Sequence, residues 1–223
     1  MEHITLAAII DQTLLKPEAT RSDIAKFIEK SAPYGFATLC LPPCHVKEAF
    51  RMLKGSQAKI STVTGFPLGF QSEGIKLLEA KKAVDDGAAE VDMVMNISLF
   101  RSGEYGAVAD EISGVVHALP DTVVKVIIET GFLTDDEKIK ALEASVSAGA
   151  QYVKTSTGFN PGKATVHDVL LLTKAAAGRI KIKASGGIRG LEDALRMIEA
   201  GAGRLGTSAG ADIIEELTAR AGM

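Results

Sequence analysis

The hexapeptide Gly149-Ala150-Gln151-Tyr152-Val153-Lys154 recurs, in weaker form and without gaps, at three other places in the chain. Its counterparts are Gly35-Phe36-Ala37-Thr38-Leu39-Cys40, Gly87-Ala88-Ala89-Glu90-Val91-Asp92 and Gly201-Ala202-Gly203-Arg204-Leu205-Gly206. Each is typical of the start of a short β-strand, in which alternate side chains point to opposite faces. We therefore expect the fifth and sixth residues of the repeat to face opposite sides. These are Leu39, Val91, Val153 and Leu205, and Cys40, Asp92, Lys154 and Gly206.

The rest of the chain alternates short β-branched runs with alanine-rich amphipathic segments, which is the pattern of βα units around a parallel sheet. Eight such units are predicted, and eight units close into a TIM barrel. We expect an α/β fold, a (β/α)8 barrel that forms a single domain over residues 1–223. The predicted strands are 8–11, 36–41, 59–64, 90–95, 123–129, 152–155, 180–184 and 204–207.

Two of the helix starts have recognisable signals. Thr134-Asp135-Asp136-Glu137 is a capping box, in which the threonine and the glutamate each accept a hydrogen bond from a free backbone N–H. Ser72-Glu73 predicts a second start, with a hydroxyl cap and a carboxylate in the first turn.

In a barrel of this kind, one interior layer takes its side chains from alternate strands, and the layer nearest the strand C-termini borders the active site. The fifth residues of the repeat should then face the outer helices, and the sixth residues should face the interior. Asp92 and Lys154 are predicted to share the upper layer. The fourth residues, one layer deeper, include Glu90 and Arg204, which should pair because a buried carboxylate needs a cation.

Composition narrows the function further. The chain has 223 residues, 46% of them hydrophobic, a formal net charge of -3 and a pI near 5.9. Nucleic-acid binding requires clustered basic residues, and a bilayer span requires ~20 apolar residues, so neither partner is expected. Two cysteines and an amino terminus without signal-peptide features predict a cytoplasmic protein. The four histidines are scattered, so no metal site is expected.

Lys154 ends a strand-like run and is followed by Thr155-Ser156-Thr157-Gly158. An ammonium group among apolar neighbours is costly to desolvate, so its pKa should fall and leave some neutral, nucleophilic amine near pH 7. Lys183 ends the next predicted strand, and a second cation nearby would lower the pKa of Lys154 further. This arrangement favours Schiff-base chemistry at Lys154. The alternative is that Lys154 is a solvated lysine at a strand end, and Lys183 a solvated or phosphate-binding one.

The carboxylates at predicted strand ends, Asp11, Asp92 and Glu129, are candidates for proton relay between the lysines. Asp92 lies among apolar residues, where an isolated carboxylate would be expensive, so a lysine partner or a proton-transfer role is favoured. Asp11 could equally be a helix cap or a loop residue. Cys40 is interpreted as a packing thiol, because no histidine is placed to activate it.

Glycine segments follow the seventh and eighth predicted strands, at Ser185-Gly186-Gly187 and Gly206-Thr207-Ser208. The loops after these strands bind phosphate in many barrels, through exposed backbone N–H groups. A tight turn is the alternative for either segment alone. Thr-Gly-Phe also recurs past three strands, at 64–66, 130–132 and 157–159, where the glycine allows a positive φ and the phenylalanine could close over the barrel mouth.

Taken together, Tyr152-Val153-Lys154-Thr155-Ser156-Thr157-Gly158-Phe159, Lys183-Ala184-Ser185-Gly186-Gly187-Ile188-Arg189 and Glu90-Val91-Asp92-Met93-Val94 resemble the short bacterial and archaeal deoxyribose-phosphate aldolases. The resemblance runs from Ile10-Asp11-Gln12-Thr13 to Gly206-Thr207-Ser208. It implies a TIM barrel that reversibly cleaves 2-deoxy-D-ribose 5-phosphate to acetaldehyde and D-glyceraldehyde 3-phosphate, with no metal or organic cofactor. It also implies a homodimer or homotetramer.

By the same resemblance, Lys154 is the Schiff-base lysine, Lys183 tunes it, and Asp92 is the proton-transfer acid/base. The small phosphorylated sugar substrate is expected to contact a further set of residues. These are Asp11, Thr13, Cys40, Thr157, Gly158, Gly186, Gly187, Gly206 and Ser208.

The chain departs from some members of this family at two places. Phe159 stands where some members have a basic residue, which predicts a looser dependence on phosphate. The chain ends Ala221-Gly222-Met223, without the C-terminal tyrosine that some members use in proton transfer.

Three other functions are weighed. A transaldolase or keto-acid aldolase would share Lys154 and differ in its acceptor pocket, and a phosphate-binding barrel without chemistry would leave both lysines at ordinary pKa values. A metal-dependent aldolase is disfavoured by the scattered histidines.

Overall fold

Eight parallel strands pair in chain order and close into a barrel in the structure, a computed structural model that describes residues 3–221 and the side chains of residues 5–220. The predicted barrel is confirmed, and each predicted strand has a counterpart. The strands are β1 (Ile10–Thr13), β2 (Thr38–Cys40), β3 (Ile60–Thr64), β4 (Glu90–Val94), β5 (Val123–Ile127), β6 (Tyr152–Lys154), β7 (Lys181–Ser185) and β8 (Arg204–Thr207).

The helices surround the barrel, and two of them follow β4. They are α1 (His3–Ala7), α2 (Arg21–Ser31), α3 (Val46–Met52), α4 (Glu73–Asp85), α5 (Ile97–Arg101), α6 (Tyr105–Ala118), α7 (Asp135–Ser147), α8 (Val166–Ala176), α9 (Leu191–Glu199) and α10 (Gly210–Ala221). Among residues 3–221, no helix combines the length and the hydropathy that crossing a bilayer requires.

The predicted capping box at the start of α7 is confirmed. Thr134 accepts a hydrogen bond from the backbone N–H of Glu137, and the Glu137 carboxylate accepts one from the N–H of Thr134. At the start of α4 the predicted position is right, but the hydroxyl cap is wrong. Ser72 occupies the N-cap position without a side-chain hydrogen bond to the helix.

The first strand begins two residues later than predicted. Leu6 and Ala7 belong to α1 and are fully buried, whereas Ala8 is exposed. The strand starts at Ile10 because the pairing with β8 begins there, with Ile10 opposite Leu205. Local β-propensity did not reveal that α1 supplies the buried apolar residues ahead of the strand.

The two faces of the repeat are as predicted. The fifth residues, Leu39, Val91, Val153 and Leu205, are at most 1% exposed and belong to the apolar core between the strands and the helices. The sixth residues lie on the interior face, where Asp92 and Lys154 meet across the barrel. The register pairs Asp92 with Lys125, and Lys125 with Tyr152, so Lys154 lies two residues further along its strand. This stagger follows from the tilt of the strands in a closed barrel, and it brings Asp92 and Lys154 into one layer.

Candidate active site

Seven charged side chains occupy two layers of the barrel interior and form one network of ion pairs, which we call the interior charge cluster. Three of them converge on Asp92: Lys154 Nζ lies 2.8 Å and Lys183 Nζ 2.7 Å from its Oδ2, and Lys125 Nζ lies 2.7 Å from its Oδ1. The predicted meeting of Asp92 with both lysines is therefore confirmed. The members of the cluster are Asp11, Glu90, Asp92, Lys125, Lys154, Lys183 and Arg204.

The charges of this cluster do not balance when every group is ionised. Three carboxylates face four cations, so one positive charge is in excess. Among the described residues, Lys154 is the cluster cation with the fewest carboxylate contacts, because it contacts one Asp92 oxygen that Lys183 also uses. Burial lowers the pKa of Lys154, and the positive charge of Lys183 lowers it further, against the opposing pull of Asp92. Loss of one proton from Lys154 leaves three cations opposite three carboxylates.

The other members of the cluster are held in their charged forms. Burial alone would lower the pKa of Lys183, but Asp11 and Asp92 more than compensate and raise it. Burial alone would raise the pKa of Asp92, but Lys125, Lys154 and Lys183 hold it well below its ordinary value. Asp92 is therefore a carboxylate at neutral pH. Lys154 and Lys183 compete for its Oδ2 atom.

Sequence reasoning missed Lys125. It lies in the middle of β5, where its Nζ also contacts Glu90 at 2.7 Å and Asp11 at 3.6 Å. Asp92, Asp11 and Glu90 raise its pKa against the effect of burial. A signal was present in Val123-Val124-Lys125-Val126-Ile127, because a lysine inside a buried parallel strand must have a carboxylate partner.

The deeper layer of the barrel is as predicted. Arg204 contacts Glu90 at 3.2 Å, and the same guanidinium donates to Asp11 at 2.6 Å and lies over the ring of Tyr152. Another fourth residue of the repeat, Thr38, donates to the same oxygen of Asp11, Oδ1, at 2.8 Å. The polar groups of this layer thus satisfy one another and fix the lower part of the cluster.

Gly206 gives Lys183 the space it needs to reach Asp92. A Cβ atom at position 206 would lie 2.9 Å from Ser185 Oγ and 3.0 Å from Lys183 Cε. Every larger residue at this sixth position of the repeat would displace the lysine chain. A side chain at this position would crowd Ser185 and Lys183, which accounts for a glycine at the sixth place of the repeat on β8.

A cavity of about 310 Å³ opens above the cluster at the C-terminal end of the strands, with Lys154 in its lining. Most predicted substrate contacts meet here. Its lining includes Thr13, Thr157, Gly158, Gly186, Gly187, Gly206 and Ser208. Lys16 and Arg189 also line it, and they were not singled out from the sequence.

Four predicted site residues lie below this lining. Asp92 and Lys183 are buried in the cluster, under Lys154. Asp11 is fully buried, with its oxygens occupied by Lys183, Arg204 and Thr38, so the predicted substrate contact would require these partners to move. Cys40 is 1% exposed, and burial raises the pKa of its thiol, in keeping with a packing role.

The predicted positive φ is found in two of the three Thr-Gly-Phe tripeptides. Gly65 and Gly158 have the predicted positive φ, at 62° and 82°. Gly131 does not; Glu129 takes the left-handed conformation in that turn instead, with φ 52°. The rings of Phe66 and Phe159 meet edge to face at 5.2 Å at the barrel mouth.

The structure also brings together Asp135, His167 and Asp168, a group with ligand atoms close enough to hold a metal ion. The Lys138 ammonium contacts Asp135 at 2.9 Å and Asp168 at 2.7 Å, and His167 contacts Asp135 at 2.7 Å. The group lies between α7 and α8, outside the barrel. Because the Lys138 ammonium already bridges both carboxylates, we interpret the group as an ion-pair network between the two helices.

The model of the DeoC/LacD family aldolases matches residues 5–216. This chain belongs to that family. A protein named deoxyribose-phosphate aldolase from Caldanaerobacter subterraneus subsp. tengcongensis is 54% identical over 216 residues, which cover 96% of this chain and 94% of that protein. The match to the family model spans all eight strands and every residue of the interior charge cluster.

Solved structures of aldolases have the same fold. The aldolase QR15 matches with a TM-score of 0.93 at 44% identity, over 97% of each chain. A deoxyribose phosphate aldolase from Aeropyrum pernix, described as a unique tetrameric structure, matches with a TM-score of 0.90 at 36% identity, over 96% of this chain and 92% of that one. Membership of the aldolase family thus rests on sequence and fold together.

Proposed function

We propose that this family member is a class I aldolase that reversibly cleaves 2-deoxy-D-ribose 5-phosphate to acetaldehyde and D-glyceraldehyde 3-phosphate. The observation that carries the proposal is the position of Lys154, a lysine with a lowered pKa at the junction of the interior charge cluster and the cavity. The relatives named deoxyribose-phosphate aldolase support the choice of substrate.

The reaction begins with neutral Lys154. Its Nζ attacks the C1 aldehyde of the open-chain sugar, and loss of water gives a protonated imine, the electron sink for the next step. The positive charge of the imine replaces that of the ammonium, so Asp92 stabilises both at the same place. Lys183 remains protonated and keeps the unreacted amine of Lys154 partly neutral.

Bond cleavage requires a base near the C3 hydroxyl. Asp92, directly or through a water molecule together with Lys183, takes this proton as the C2–C3 bond breaks, and D-glyceraldehyde 3-phosphate leaves. The bonding electrons form an enamine on the two carbons that stay attached to Lys154. Protonation at C2 and hydrolysis of the resulting imine then release acetaldehyde and restore the amine.

The glycine loops at the far end of the cavity suit the phosphate group. Gly158, Gly186, Gly187 and Ser208 line it and offer backbone N–H groups and a hydroxyl, and Lys16 and Arg189 add positive charge to the same lining. Phe159 contributes no charge, and it is 48% exposed at the mouth. Without a basic residue at position 159, we expect a looser dependence on phosphate than in family members that have one, and measurable turnover of 2-deoxyribose.

The assembly and the location are also proposals. A homodimer or homotetramer is supported by the tetrameric relative and by exposed apolar side chains on α4, where Ile75 is 55% and Leu78 is 64% exposed. Light scattering of the purified protein tests it, and a monomer at micromolar concentration would contradict it. A cytoplasmic location is supported by the free thiols of Cys40 and Cys44.

Borohydride trapping tests the central claim. The protein is reduced in the presence of acetaldehyde, and peptide mass mapping locates any lysine that carries a two-carbon adduct. We expect one adduct per chain, on Lys154. An adduct on Lys183 would reverse the two roles, and no adduct on folded protein would favour a binding barrel.

Substrate and chelator controls separate the alternatives. Cleavage of 2-deoxyribose 5-phosphate in preference to ketose phosphates and keto acids separates this activity from transaldolases and keto-acid aldolases. Activity that persists in a strong chelator excludes a metal-dependent aldolase.

A further inference from the structure

Glu129 is a buried carboxylate at the site that the reaction described above does not use. It follows β5, and its backbone is left-handed, with φ 52° and ψ 69°. Side-chain-bearing residues rarely adopt this conformation and do so where surrounding contacts enforce it, often at functional sites. Although the sequence suggested a proton relay with the lysines, its carboxylate points to the loop after β6 instead.

The contacts of Glu129 are all with neutral donors. Its oxygens accept from the Thr157 N–H at 3.2 Å, from the Thr157 hydroxyl at 2.6 Å and from Asn160 Nδ2 at 2.9 Å. Within the described residues no lysine, arginine or histidine forms an ion pair with it, although it is 0% exposed. The side chain therefore has to be an acceptor at both oxygens, a requirement that a carboxylate meets and an amide does not.

These contacts fix the shape of the loop that carries Thr157, Gly158 and Phe159. The Thr157 hydroxyl also accepts from the backbone N–H of Phe159 at 3.1 Å. Asn160, held by Glu129, donates to the Pro67 carbonyl at 3.1 Å and so joins the loop to the one after β3. Thr157, Gly158 and Phe159 all line the cavity, at the end where the glycine loops lie.

We infer that Glu129 is a positioning residue that sets selectivity for phosphorylated sugars. It does so by holding the Thr157–Gly158 turn, whose neutral donors line the cavity together with Lys16 and Arg189. The inference rests on the proposed function. Two tasks are thus separated within one cavity. Asp92 and Lys183 set the protonation and position of Lys154, whereas Glu129 positions the loop at the phosphate end and has no part in imine formation.

Glu129→Gln tests this with the smallest change of shape. The amide Nε2 would face a donor, so the turn should shift. We expect the ratio of kcat/KM for 2-deoxyribose 5-phosphate to that for 2-deoxyribose to fall about 10- to 100-fold, the range that a displacement of about 1 Å can cause. The inhibition constant for inorganic phosphate should rise with it. Acetaldehyde trapping on Lys154 should stay close to wild type.

Glu79→Gln is a matched control. Glu79 accepts from the Thr64 hydroxyl and from the Gly65 N–H, both at 2.8 Å, in the first Thr-Gly-Phe turn, which does not line the cavity. Glu79 uses a single oxygen, Oε2, for both bonds, and an amide oxygen can accept in its place. We expect this variant to leave the selectivity ratio unchanged. Equal changes of the ratio in both variants would overturn the inference.

A second variant keeps the test decisive if Glu129→Gln does not fold. Asn160→Leu removes one donor to Glu129 and the link to Pro67, and the same ratio should fall by a smaller factor. An unchanged ratio in this variant, or in a folded Glu129→Gln protein, contradicts a positioning role. Failure of the proposed function looks different, because wild-type protein would then neither cleave 2-deoxyribose 5-phosphate nor trap acetaldehyde.

Discussion

Lys76 and Lys154 are both buried lysines with lowered pKa values, yet their surroundings differ in kind. Lys76, on α4, is 0% exposed, and its Nζ donates to the Val94 carbonyl at 2.9 Å and contacts Glu111 at 2.8 Å. Burial lowers the pKa of Lys76 and raises that of Glu111. Lys154 has one carboxylate oxygen, which it shares with Lys183, and a cavity on its other side.

The difference shows that a lowered pKa does not by itself make a lysine a nucleophile. Lys76 has a carboxylate of its own, and nothing can approach its nitrogen without breaking into the packing between α4 and α6. Lys154 competes for its partner and borders open space, so it can lose a proton and meet an aldehyde. Competition and access, rather than burial, distinguish the reactive lysine from the structural one.

Replacement of each lysine should separate these roles most sharply. Lys154→Leu should have no turnover above background while it keeps the fold, because the nitrogen that forms the imine is gone. Lys76→Met should keep most of its specific activity at temperatures where it is folded. Steady-state assays with circular dichroism of both variants check this. An active, folded Lys154→Leu protein would break the comparison.

The free energy of unfolding, in contrast, should fall more in Lys76→Met than in Lys154→Leu. Lys76→Met leaves the Glu111 carboxylate buried without its cation, which should cost about 3–5 kcal/mol in the free energy of unfolding. Adding Glu111→Leu should recover much of that loss, since it removes the stranded charge. Urea unfolding of the single and double variants measures both. A double variant no more stable than Lys76→Met would show that the pair contributes through packing alone.

The smallest expected effect is a shift in pH dependence. Only the neutral amine attacks, so the rate of acetaldehyde trapping should rise with pH, with a midpoint below the ordinary lysine pKa of about 10.4. Lys183→Met removes a positive charge that lowers the pKa of Lys154, and it frees the shared Asp92 oxygen. Its midpoint should therefore move to higher pH. Lys76→Met should leave the midpoint unmoved, and a shift there would blur the distinction between the two lysines.

Much of the barrel could be predicted because its signal is periodic and local. Alternation along β2, β4, β6 and β8 placed Asp92 level with Lys154, and Glu90 level with Arg204, before any contact was known. Side chains along a strand alternate between two faces, so the face of each residue follows from its position in the repeat. A buried charge requires a partner of opposite charge, and few such residues share its layer.

The features that were missed depend on residues far apart in the chain. Lys125 lies on an odd-numbered strand outside the repeat, and its partners become visible only when the barrel closes. The left-handed Glu129 is held by a loop 28 residues later in the chain. The helical start of the described chain, α1, packs against α10 at the other end of the sequence, which local propensity does not encode.

The interior charge cluster also bears on how this protein responds to heat. Removing seven charged groups from water is costly near room temperature, but the hydration of ions becomes less favourable as temperature rises. The penalty for keeping these groups dry therefore shrinks on warming, while their mutual attraction inside the barrel persists. A reaction centre built this way is relatively better supported when hot, so the chemistry that requires buried charge need not oppose thermal tolerance.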